Sequence, residues 1–167
     1  MILTPVAHRG QGTALAASRP RAASPSVVAA YRKVLGVPVR MIVADLSNPE
    51  VRVGVVTAQR IGRAESIWEL LARARPTAAV TGTYFGTRSK LPIGDIVIEG
   101  ERVHFGGLGT ALCITYDNQV RFVRPPRHRQ VSWSAYRLVL GAGPRLLQGG
   151  QLALYPPGEG FRDPRVY

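Results

Sequence analysis

The chain has 167 residues, enough for one domain to bury a core unaided, and its 46% hydrophobic content excludes wholesale disorder. A formal charge of +12 favours anionic partners, whether nucleic acid, acidic polysaccharide or an anionic membrane. The single cysteine excludes an internal disulfide, and no apolar run approaches the roughly 18 residues that cross a bilayer as a helix.

Lys33 and Lys90 are the only lysines, and every other basic side chain is Arg. Nucleic-acid binders usually mix the two, because Lys is a good point charge for phosphate. An Ala-, Arg-, Gly- and Pro-rich chain with almost no Lys reads as GC-rich coding bias, yet the charge still attracts an anionic substrate. His8, His104 and His128 lie far apart without metal-ligand spacing, and no metal or cofactor is expected.

In chain order, residues 1–26 read as a flexible basic leader and 27–167 as a single domain. Thr13 to Ser18 resembles the end of a signal peptide, but a basic n-region and long apolar h-region are not seen before it, so export stays open. Residues 37–46 and 51–57 are rich in β-branched residues and flank Ser47-Asn48-Pro49-Glu50, which predicts a hairpin. Residues 65–75 predict the one main helix. Ile67, Leu70, Leu71 and Ala74 make an apolar stripe, acidic residues come early and basic ones late, and Pro76 stops it. A short buried strand is expected over 78–82.

Strands then follow at 94–99 and 102–105 around Glu99-Gly100-Glu101, and at 110–116 and 119–123 around Asp117-Asn118. Three more are expected over 136–140, 145–147 and 151–154, the last pair turned by Gly149-Gly150. This order predicts an α+β fold with a mixed or antiparallel β-rich sheet. Gly106-Gly107-Leu108-Gly109-Thr110 leads into a β-rich run and not a helix, which rules out a dinucleotide loop. Cys113, inside Ala111-Leu112-Cys113-Ile114, reads as a buried structural thiol.

Three glycine-bearing segments are candidates for chemistry. In Thr81-Gly82-Thr83-Tyr84-Phe85-Gly86 an aromatic can stack on a sugar face and a threonine can bond its hydroxyls; an ordinary turn with core aromatics is the alternative. In Leu91-Pro92-Ile93-Gly94-Asp95 the carboxylate is a general acid or base, a sugar-hydroxyl acceptor, or a turn cap. In Gly141-Ala142-Gly143-Pro144-Arg145 exposed backbone N–H groups and the guanidinium suit a phosphate; a plain β-turn is the alternative. No pair of carboxylates stands out by spacing, and no Ser/His/Asp constellation does either.

Taken in order, these segments resemble the phosphodiester glycosidase family. Asp45-Leu46-Ser47-Asn48-Pro49 resembles that family's hairpin end, and Thr81-Gly82-Thr83-Tyr84-Phe85 its Asn-Gly-Gly-Phe-Phe-like segment. Pro92-Ile93-Gly94 with Glu99-Gly100 resembles the strand entry and turn, Gly141 to Leu147 with Gly150 the Gly-x-Gly-Pro-like loop, and Phe161-Arg162-Asp163 the approach to the later half. The match covers about residues 37–163.

The resemblance implies cleavage of a sugar-1-phosphodiester, often on exported glycoconjugates or cell-envelope polymers, and a secreted or envelope location. It places Asp95 and Thr81 in catalysis, and Gly82, Thr83, Tyr84, Phe85, Gly143, Arg145 and Arg162 in substrate binding. The family's later half, with its Asp-Gly-Gly-Gly-Ser-like motif, has no counterpart here. The domain is therefore expected to be incomplete relative to the family, its site finished by a second chain or copy. A non-catalytic carbohydrate- or envelope-binding module is the second reading, and a basic nucleic-acid binder the third.

Overall fold

A computed structural model describes residues 2–7, 26–60, 62–127 and 129–162. The α+β expectation holds, with one α-helix and antiparallel sheets among the described residues. The strands are β1 (Ile2–Ala7), β2 (Val27–Val34), β3 (Val37–Ala44) and β4 (Val51–Val56), followed by helix α1 (Ile67–Ala74) and β5 (Val80–Thr81). After these come β6 (Ile96–Ile98), β7 (Glu101–His104), β8 (Ala111–Thr115), β9 (Val120–Val123), β10 (Tyr136–Gly141), β11 (Leu147–Gln148) and β12 (Gln151–Leu152).

The core is a five-stranded antiparallel sheet in the order β7-β6-β10-β8-β9. Side chains alternate across it, so each strand feeds two separate clusters. Ile96, Leu138, Leu140 and Ile114 face one way and pack under Val55 and Val53 of β4. Val97, Val139, Cys113 and Ala111 face the other way and are capped by Trp133, with Val131 and Tyr136 beside it. Burying a side chain such as Leu138 or Ile96 stabilises the fold by about 2 kcal/mol. With both faces covered, strand β10 reads as a continuous apolar run from Leu138 to Leu140.

The N-terminal region departs from expectation in three ways. Residues 37–46 and 51–57 do not pair with each other. Instead β3 pairs with β2 along the whole of Val27–Val34, and β4 pairs with β1. The predicted turn is real but joins two sheets: Asp45 accepts from the Ser47 amide and hydroxyl, and Asn48 accepts from the Glu50 amide while its own amide reaches Ser26. A short Asx turn of this kind redirects a chain without closing a hairpin. Second, residues 2–7 of the expected leader form β1, between β4 and β5. The rest of that expectation, over 8–25, lies outside the described residues, as do His8, His128 and Asp163. Third, β5 is only two residues long and exposed.

Helix α1 matches its prediction to within two residues. Ser66 caps it in a reciprocal box with Glu69, and Arg75 ends it in the left-handed region at φ 45°. Hydrogen bonding from the Ser66 side chain, and then from its backbone amide, holds the Glu69 carboxyl below its ordinary range. Of the apolar stripe Leu70 is buried, whereas Ile67 is exposed. No helix among the described residues is long and apolar enough to cross a membrane.

Candidate functional site

The second and third glycine segments meet at a backbone crossing. A Cβ on Gly94 would stand 2.5 Å from the Gly141 backbone, and the converse holds for Gly141. Only glycine permits the two chains to lie this close, and the Gly141 amide donates to the Asp95 carbonyl at 2.7 Å. The crossing buries Asp95 at 2% exposure, where Oδ1 accepts from the amides of Gly106 (2.9 Å) and Gly107 (2.8 Å). Oδ2 accepts from the Trp133 indole at 2.7 Å. Three donors on two oxygens make Asp95 a clamp holding the 106–107 loop and the Trp133 cap onto β6. This arrangement leaves it no direct face toward a ligand.

The first segment is extended, so its side chains alternate between two sides. Tyr84 points toward the third segment. Its ring meets Phe161 edge-on at a centroid distance of 5.9 Å, and a Cβ on Gly143 would lie 3.0 Å from it. Thr83 and Phe85 point the other way, into a cavity of about 290 Å³. Their strand is fastened to its return by the Ile93 amide to the Tyr84 carbonyl (3.0 Å) and the Gly86 amide to the Leu91 carbonyl (2.9 Å). The opposite wall is residues 57–60 and 62–65, which Glu65 and Arg73 pin down. Glu65 accepts from the Gln59 amide and from Arg73, and Arg73 also donates to the Thr57 carbonyl.

This cavity holds an unusual group. The Thr83 hydroxyl oxygen is buried with no hydrogen-bond partner, the one such side-chain atom among the described residues. Leaving a hydroxyl unpaired in this way costs about 1–3 kcal/mol, which a ligand hydroxyl or water would recover. Around it stand the half-exposed Phe85 ring, His104, and the cations Arg60, Arg63 and Lys90. Among the described residues none of these three cations pairs with a carboxylate. His104 is held in place by its Nε2 at 2.7 Å from the Pro92 carbonyl. Leu70, Leu91, Pro92, Ile96 and Val103 make much of the wall apolar, and set into it are an aromatic face, one free hydroxyl and positive charge, a set that can take an anionic polyol of monosaccharide size.

The remaining expected residues are scattered. Thr81 lies exposed on β5, its backbone paired with Ile2, and is not in the cavity wall; neither is Gly82, which is half-buried. Arg145 lines a different hollow beside Gly143. Its guanidinium donates to the Phe122 carbonyl at 3.1 Å and lies over that ring, and its amide donates to the buried Glu159 at 2.8 Å. Glu159 also accepts from the Thr110 hydroxyl at 2.6 Å. Arg162 is exposed. Cys113 is fully buried, and burial pushes its thiol up to about 12, as an inert structural thiol requires. No cluster of three His, Cys, Asp or Glu side chains suited to a metal occurs among the described residues.

Sequence reasoning missed Arg60, Arg63, Lys90 and His104 as cavity residues. The only signal was that Lys90, one of two lysines, lies four residues after a glycine in the aromatic segment. No family model, curated protein or solved structure matches this chain.

Proposed function

We propose that the protein is phosphodiester glycosidase-like and acts on a sugar-1-phosphodiester or a related cell-envelope glycoconjugate. The observation that carries this reading is the unpartnered Thr83 hydroxyl inside a cavity walled by Phe85 and three uncompensated cations. Phe85 takes a sugar face, Thr83 bonds a ring hydroxyl, and Arg60, Arg63 and Lys90 draw in and hold the phosphodiester charge. Tyr84, on the other side of the same strand, ties this wall to the Gly143 loop. Among the described residues no further strand pairs with β7 or β9 at the ends of the sheet, which leaves room for a second chain or copy to supply a further wall.

A specific observation favours a second reading, a glycan-binding module without turnover. The carboxylate in the cavity wall, Glu65, is occupied by Arg73, and Asp95 is occupied by three N–H donors. Neither is free for proton transfer in this arrangement.

The test is hydrolysis of a sugar-1-phosphodiester by the 167-residue chain, with its native mass measured alongside. Hydrolysis whose KM rises about tenfold in Thr83→Val, and similarly in Lys90→Ala, supports the enzyme reading. Saturable glycan binding without turnover selects the binding module. Absence of both, in a folded chain, overturns the cavity as a carbohydrate site.

A further inference from the structure

The β2–β3 hairpin stands apart from everything described so far. Both strands are eight residues long and, among the described residues, paired only with each other, so the hairpin is its own two-stranded sheet. Its apex is Val34-Leu35-Gly36-Val37. Leu35 is 99% exposed, and Val34 and Val37 are each more than half exposed. Leu35 has φ 51° and Gly36 φ 81°, so both central residues of the turn are left-handed. That geometry prefers Asn, Asp or Gly at its first position. A leucine there carries backbone strain, and its side chain gains nothing from the fold, because it touches water on all sides. Strain with no structural return is a mark of function.

The charges beside the apex say what the leucine faces. Residues 26–44 contain Arg32, Lys33 and Arg40 and no acidic residue. Directly opposed residues share a sheet face, so the register puts Arg32, opposite Val39, on one face. It puts Lys33, opposite Pro38, and Arg40, opposite Tyr31, on the other. The cations thus form a collar round both faces just behind an apolar tip. A protein docking on one face would meet a charge in its path on either side. The tip is far smaller than the roughly 800 Å² per partner of a stable protein interface, and other exposed apolar side chains, Tyr31, Met41, Ile42 and Val43, lie at or behind the cations and are split between the two faces.

A bilayer is different. Entered end-on, it takes the apex into the acyl boundary while the collar meets the headgroups all round. At about 3.3 Å per residue the collar runs from roughly 7 Å (Lys33) to 13 Å (Arg40) behind the tip, at and just beyond the depth of interfacial insertion. We propose that the β2–β3 hairpin is a membrane-contacting finger: Leu35, with Val34 and Val37, inserts into the interface of an anionic lipid surface, and Arg32, Lys33 and Arg40 bind its headgroups. This contact is independent of the cavity at Thr83, and it holds whether or not that cavity turns over a substrate.

The experiment is co-sedimentation of the full chain with vesicles of phosphatidylcholine alone and of phosphatidylcholine mixed with phosphatidylglycerol, at low and high salt. The expected result is binding to the mixed vesicles that falls as salt rises. Leu35→Asn relieves the turn strain and so preserves the fold, yet should weaken binding about tenfold. The triple change Arg32→Ser, Lys33→Ser and Arg40→Ser should remove the preference for the anionic vesicles. In a Trp68→Phe background, Leu35→Trp should shift its emission to the blue on mixed vesicles. Equal binding by Leu35→Asn and the parent chain overturns the proposal. So does an absence of vesicle binding, or a native mass that drops from dimer to monomer in Leu35→Asn, which would make the hairpin an interface between copies.

Discussion

Strands β2 and β3 and strands β6, β8 and β10 are written in much the same residues, and their fates are opposite. Val-Val-Ala-Ala-Tyr-Arg-Lys-Val and Val-Pro-Val-Arg-Met-Ile-Val-Ala are as rich in β-branched and apolar residues as Tyr-Arg-Leu-Val-Leu-Gly. Yet β10 is buried from Arg137 to Gly141, while the hairpin is exposed on both faces. The difference is coverage. The five-stranded sheet has β4 over one face and the Trp133 segment over the other, and no described layer covers either face of the hairpin. Hydrophobic content therefore marks what can be buried, and the layers around it decide what is. It also follows that the two regions should respond to change in very different degrees.

The largest expected contrast is at glycine. Gly94→Ala drives a Cβ into the Gly141 backbone at 2.5 Å, and neither chain can retreat without breaking the β6–β10 ladder. A loss of about 3 kcal/mol is expected in urea unfolding. Gly36→Ala at the hairpin tip meets nothing within 4 Å and should cost only the left-handed backbone penalty of about 1 kcal/mol. Equal losses at the two sites would break the comparison.

Next comes the clamp that closes one side of the sheet. Asp95→Asn puts an amide where the Trp133 indole or the loop amides donate, which sets donor against donor. About 2 kcal/mol should be lost in the same unfolding experiment, with Trp133 emission moving to the red as its cap loosens. Retained stability with unchanged emission would mean that the cap is held by packing alone.

A pH titration sharpens the point with a smaller effect. The Cys113 thiol is raised from an ordinary 9.0 to about 12 by burial. The unfolded chain therefore releases this proton first. Its contribution is fully present below about pH 9 and is lost as pH rises toward about 12, at about 1.4 kcal/mol per pH unit. Comparing the parent with Cys113→Ala isolates this slope. A thiol reagent should label Cys113 only on unfolding, and rapid labelling of the native chain would contradict the burial.

The smallest effect belongs to the hairpin. Leu35→Asn should slow hydrogen exchange in β2 and β3 about twofold, because Asn tolerates φ 51° where Leu is strained. The amides of β8 and β10 should not respond. A response there would show that hairpin and sheet are coupled.

Local structure was largely legible in the chain. The capping box of α1, the Glu99-Gly100 turn and the Asp117-Asn118 turn all involve residues a few positions apart, so local sequence specifies them. Strand partnership was not. Residues 37–46 and 51–57 read as a hairpin because proximity in sequence is the cheapest closure, but β4 pairs with β1 about fifty residues upstream, and Ser26 bonds the Asn48 turn. The candidate site divides the same way. Thr83, Tyr84 and Phe85 were readable as a polar and aromatic cluster, and their alternation to opposite sides follows from an extended backbone. Which of them faces a cavity did not follow, because the far wall comes from residues 57–60 and 62–65. By itself the sequence determined the α+β class, the helix and the tight turns, where each residue answers to its near neighbours. Tertiary structure alone decided that Asp95 is a buried clamp, that Thr83 is an unpaired hydroxyl among cations, and that the Leu35 finger is bare. Those properties depend on which distant segments arrive to cover a group, and covering is a matter of space and not of local preference.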